Sequence, residues 1–122
     1  MMKVLGIRFC SVSNEAEQIA AFLRGGLGLP ERAMPGADAF DGFPGAVFPA
    51  ESDESWVEVW PAGPEMPAGI MLQIVVDDAD AWAENARQNG LTPEGPTDAH
   101  GERIYFLQAP GGLPVSFQSK LP

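Results

Sequence analysis

Two apolar spacings alternate along this chain, and their alternation predicts its elements. In "KVLGIRFCSVS" Leu5, Ile7 and Phe9 recur two residues apart with Arg8 and Cys10 between, the period of a strand over residues 3–12. "NEAEQIAAFLRGG" changes period. Ile19, Phe22 and Leu23 make a helical stripe, Asn14 with Glu17 three residues on has the pattern of a capping box, and Gly25-Gly26 ends the helix. A Pro- and Gly-rich stretch follows, then a short apolar piece, "GAVFPA", and a strong strand, "SWVEVWPA".

The second half repeats the plan. "GIMLQIVV" (69–76) predicts a strand, and "DDADAWAENARQNG" a helix with aspartates in its first turn and Gly90 after its last. Residues 91–97 predict a weak edge strand, interrupted by Pro93 and Pro96. "RIYFLQAPGGLPVSFQ" predicts a hairpin turning at Pro110-Gly111-Gly112. The helix ends match too, "LRGGLGLPE" being answered by "ARQNGLTPE". A strand, a helix and two or three further strands therefore occur twice, at a period of roughly 60 residues. The expected fold is α+β: a single domain of two β-α-β-β-β modules, about 1–62 and about 68–122, forming a curved mixed sheet around a cleft with helices on one face.

Strand alternation also sorts side chains between the two faces. Leu5, Ile7 and Phe9, Val57 and Val59, Ile70, Leu72, Ile74 and Val76, and Leu113, Val115 and Phe117 are the apolar sets expected under the helices. The opposite face is then lined by Arg8, Cys10, Trp56, Glu58, Trp60, Met71, Gln73 and Ser116, the candidate ligand-binding set.

Charge narrows the partners. Seventeen acidic residues against seven basic ones give a net charge of −10, which argues against nucleic acid and anionic membrane and is compatible with a cationic small molecule. No apolar run approaches the roughly 18 to 20 residues of a membrane helix, and the start has no signal-peptide pattern. The single cysteine, Cys10, excludes an internal disulfide framework and suits a reducing cytoplasm.

Within the candidate face, Trp56-x-Glu58-x-Trp60 is the most informative constellation. Two indoles flank a carboxylate on one strand face, neighbours on that face being about 7 Å apart, an arrangement suited to a flat aromatic or cationic guest. The plainer reading of the tryptophans is core or dimer packing. Arg8 either pairs with Glu58 or binds a ligand carboxylate. Cys10 beside Arg8 is either an activated thiol or, the favoured reading, a buried inert one. Asp77, Asp78 and Asp80 read as helix-start acids rather than a metal cluster, and His100 as a loop residue.

The duplicated module, "AFLRGGLGLP", "VVDDADAWAENARQNGL" and "YFLQAPGG" before the last strand together resemble the vicinal oxygen chelate superfamily, the glyoxalase, bleomycin-resistance and ring-cleaving dioxygenase group. The resemblance spans essentially the whole chain. It implies metal ligands on the first and fourth strands of each module. Carried onto this sequence, those positions are Arg8 (or Ile7), Glu58, Met71 and Ser116, of which Glu58 alone has ligand chemistry; Gln73 offers an oxygen if the register slips by two. Ala109 stands where the family usually has Asp before the Pro. The expectation is a protein without metal or other cofactor that binds a small molecule and forms a homodimer. The alternative is a metal-dependent lyase, isomerase or dioxygenase of the same superfamily.

Overall fold

The structure is a computed structural model that describes residues 2–33 and 42–122. The middle of the Pro- and Gly-rich stretch, 34–41, lies outside the described residues. The chain divides into two compact units. A C-terminal unit comprises Met1–Arg8 with Met71–Pro122, and an N-terminal unit comprises Phe9–Ile70. Strand β1 (Val4–Ser13) begins in the first and ends in the second.

The C-terminal unit contains β4 (Gly69–Val76, from Met71 on), α2 (Ala79–Gln88), β5 (Glu94–Ala99), β6 (Glu102–Gln108) and β7 (Pro114–Lys120). Its strand order is β1-β4-β7-β6-β5. The sheet is mixed: β4 runs parallel to β7, and β7/β6 and β6/β5 are antiparallel. The expected hairpin is present, turning through Pro110–Gly112. The weak edge strand is also present, two or three residues later than the pattern placed it, with an irregular register between Glu94 and Thr97 where Pro96 cannot donate to the ladder.

Helix α2 starts where its aspartates predict. Asp78 is the N-cap, its Oδ1 accepting from the Ala81 amide at 3.2 Å, and the helix buries Ala79 and Ala83 against Ile74, Val76, Tyr105 and Phe117. The three aspartates are all engaged. Asp77 accepts from the Lys3 amide at 3.1 Å, and Asp80 accepts from the Tyr105 hydroxyl at 2.6 Å and from Arg103 at 2.9 Å. The Tyr105 and Arg103 bonds hold the Asp80 carboxyl below its usual range.

The N-terminal unit contains α1 (Ala16–Ala21), one wider helical turn continuing it (Phe22–Gly26), β2 (Ala46–Pro49) and β3 (Trp56–Pro61), with strand order β2-β3-β1. Its core is Ala16, Ala20, Ala46, Phe48 and Val59. The Asn14–Glu17 capping box does not form. The helix begins one residue later, with Glu15 at the cap position and no side-chain cap bond, because the Ser13 hydroxyl takes the Glu15 amide at 3.0 Å in a local turn.

A further correction concerns β1 and the start of β4. Among the described residues, neither core contains a β1 residue, so Leu5, Ile7 and Phe9 lie opposite the Arg8 face but remain 41–48% exposed instead of covered by helix. Ile70 is likewise exposed, at the end of β4 that α2 does not reach. Among the described residues, no helix is long and apolar enough to cross a membrane.

Candidate functional site

In the C-terminal unit, ladder register fixes which side chains share the face away from α2. Gln73 is paired with Ser116, which is paired in turn with Phe106; Val75 is paired with Gln118, and Gln118 with Ile104. Residues opposite one another in a ladder point the same way, so Met71, Gln73, Ser116, Gln118 and Glu102 face one side. Gln73, rather than Met71, lies directly beside Ser116.

This face carries a polar network. Arg8 Nη1 donates to Glu102 Oε1 at 3.1 Å, Gln118 Nε2 donates to the same oxygen at 3.3 Å, and the Ser116 hydroxyl donates to Gln118 Oε1 at 2.8 Å. Arg8, Ser116 and Gln118 are only 5%, 1% and 4% exposed, so these bonds are what makes their burial tolerable. Glu102 is absent from the candidate set drawn from the sequence. A signal for it exists: counting back from Ser116 through the tight Pro110–Gly112 hairpin puts Glu102, Ile104 and Phe106 on its face.

In the N-terminal unit β3 builds a second constellation. Val57 and Val59 turn to the α1 core, leaving Trp56, Glu58 and Trp60 on the other face. The i,i+2 spacing brings both indole N–H groups onto the intervening carboxylate: Trp56 Nε1 donates to Glu58 Oε2 at 2.6 Å, and Trp60 Nε1 to Oε1 at 2.8 Å. Each oxygen thus has its own donor, and all three side chains are half-buried. The Arg32 guanidinium stacks over the Trp56 ring, 4.7 Å from its centroid. Trp60 is packed on Gly45 so closely that a Cβ added there would overlap the ring.

Cys10 also belongs to this unit. Its thiol is pushed up to about 11, first by burial and second by the negative charge of Glu58. Burial and Glu58 both work against an activated thiol at this position. At pH 8 alkylation of Cys10 should run about a hundredfold slower than that of an ordinary thiol with a value near 9.0, since the thiolate is the reacting form. Removing the Glu58 charge with Glu58→Gln should speed the reaction several-fold; an iodoacetamide time course on both proteins measures this, and rapid labelling of the parent would contradict the assignment.

Met71 and Gln73 are half-buried on β4, and His100 sits exposed in the β5–β6 turn at φ 54°. Among the described residues, no group of three or more His, Cys, Asp or Glu is placed to hold a metal ion.

No family model and no curated protein matches the sequence. Solved structures share its fold. A glyoxalase/bleomycin resistance protein/dioxygenase superfamily member from Vibrio splendidus 12B01 is 11% identical with a TM-score of 0.62, over 98% of this chain and 100% of that one. A methylmalonyl-CoA epimerase from Mycobacterium tuberculosis is 19% identical, TM-score 0.61, over 98% and 88%. A variant of the Streptomyces coelicolor methylmalonyl-CoA epimerase in complex with 2-nitronate-propionyl-CoA is 14% identical, TM-score 0.65, over 100% of both chains. The chain thus has the vicinal oxygen chelate fold, an α+β architecture with a mixed sheet. At these identities the likeness concerns the fold.

Proposed function

We propose that this chain, with its glyoxalase/bleomycin-resistance fold, is a metal-free binding protein for a small, flat molecule carrying positive charge, received at Trp56, Glu58 and Trp60. The observation that carries the reading is the Glu58 carboxylate held between two indole N–H donors. That clamp fixes an anion between aromatic surfaces, so little side-chain ordering remains when a cation arrives. Arg32 over the Trp56 ring is a working example of the same attraction within the protein.

The residues at the family's ligand positions support the absence of a metal. Arg8 is a cation engaged with Glu102, Ser116 donates its proton to Gln118, and Met71 is a soft donor. Glu58 is a single carboxylate with both oxygens accepting indole protons, and three protein ligands are the usual minimum for a catalytic zinc. The donor set does not fit a divalent ion.

The test uses benzyltrimethylammonium as the cationic probe and benzyl alcohol as a neutral one, titrated against the parent and Glu58→Gln. Losing a charge-assisted contact should weaken the ammonium about tenfold while shifting the alcohol much less. Equal affinity of the two proteins for the ammonium would remove Glu58 from the site. Elemental analysis finding about one transition-metal ion per chain would overturn the metal-free reading.

A further inference from the structure

Arg32 has chemistry that the cationic guest does not use. Its backbone is pinned, the amide donating to the Val47 carbonyl at 2.8 Å. Its guanidinium plane is oriented by the Trp56 ring, whose own orientation is set by the bond to Glu58. Stacking engages the face of a guanidinium and leaves its edge donors outward. Among the described residues, no hydrogen bond or ion pair uses the Arg32 side chain.

The same arginine lines a pocket of about 320 Å³ with Arg24, Glu31, Phe43, Pro44 and Gly45. Arg24 is taken up by Glu31, through Nε to Oε1 at 2.5 Å and Nη2 to Oε2 at 3.2 Å. Among the described residues that line the pocket, three carry charge, and the Arg24–Glu31 pair leaves the positive charge of Arg32 over, on a chain whose net charge is −10. Phe43 and Pro44 supply apolar wall. A planar oxyanion matches the guanidinium fork bidentately, and the volume lies at the small end of ligand pockets, enough for about one ring.

We propose that this pocket is a second binding site, for a small monocarboxylate with an aryl or short apolar body, the carboxylate on the Arg32 fork and the body against Phe43 and Pro44. The site adjoins the cation site, Arg32 lying over Trp56 and Gly45 against Trp60, but its charge partner is Arg32 rather than Glu58.

The experiment titrates benzoate, with benzamide as the neutral isostere, into the whole protein while following backbone amide shifts by NMR. Benzoate should saturate in the millimolar range or tighter and move the amides of Ala33, Phe43 and Gly45, with benzamide at least tenfold weaker. Arg32→Gln should lose at least tenfold in benzoate affinity. Arg32→Lys should recover only part of it, because an ammonium lacks the fork. Phe43→Ala should weaken benzoate several-fold through lost apolar contact. Arg32 is exposed, so its variants should melt close to the parent, and because Arg32 lies over Trp56 the benzyltrimethylammonium affinity of Arg32→Gln should hold or tighten while that for benzoate falls. Equal binding of benzoate and benzamide, unchanged benzoate affinity in Arg32→Gln, or shifts confined to residues away from the pocket would each overturn the proposal.

Discussion

Gly45→Ala should destabilise the protein by about 3 kcal/mol or more, the sum of two separable costs. The first is conformational: Gly45 sits at φ +109°, where an L side chain is strained. The second is steric. The new Cβ would overlap the Trp60 ring, and that ring cannot swing aside freely because its Nε1 is bonded to Glu58 at 2.8 Å. Gly42→Ala is the control. Gly42 also has a positive φ, +93°, but among the described residues a Cβ there meets nothing within 4 Å, so the backbone cost of about 1–2 kcal/mol is the one expected. Thermal melts of the two variants give the difference, and tryptophan fluorescence of Gly45→Ala should report the displaced indole. Equal melting temperatures for the two would refute the Trp60–Gly45 packing.

Glu102→Ala should cost about 3 kcal/mol, because it removes the acceptor shared by Arg8 and Gln118 from a buried network. The Arg8 and Glu102 side chains are 6% and 14% exposed, well outside the surface regime in which ion pairs contribute little. The expected drop in melting temperature is on the order of 10 °C. Arg8→Met combined with Glu102→Leu should recover much of this loss, since a matched apolar pair leaves no uncompensated charge. A double-mutant cycle on denaturant midpoints measures the coupling. Additive single effects would show that the pair is not energetically linked.

These two experiments touch different kinds of information. Periods of 2 and 3.6 are local consequences of backbone geometry, so the sequence alone settled the strands β1, β3, β4, β6 and β7, helix α2 with aspartates at its start, and the α+β class. Facing followed from the same alternation: Val57 and Val59 inward with Trp56, Glu58 and Trp60 opposite, and Phe117 inward with Ser116 and Gln118 opposite. Even the indole–carboxylate clamp was latent in Trp-x-Glu-x-Trp, because i,i+2 neighbours on a strand share a face.

What escaped the sequence is what depends on contacts distant along the chain. Arg8 meets Glu102 across 94 positions, and nothing local to either residue specifies that pairing. The pattern made Leu5, Ile7 and Phe9 an inward set, yet coverage depends on where the helices pack, and α1 and α2 build their cores on other strands. The capping-box pattern of Asn14 and Glu17 gave way to a local turn in which the Ser13 hydroxyl accepts from the Glu15 amide. The sequence favoured a buried, inert thiol at Cys10, but the part that the Glu58 charge plays in raising it depends on how the folded strands place the two side chains. Which side chains share a face is backbone geometry, and the sequence determines it. Only the folded chain decides which partner each polar group meets and how much water remains around it, because both are set by packing between segments remote in sequence.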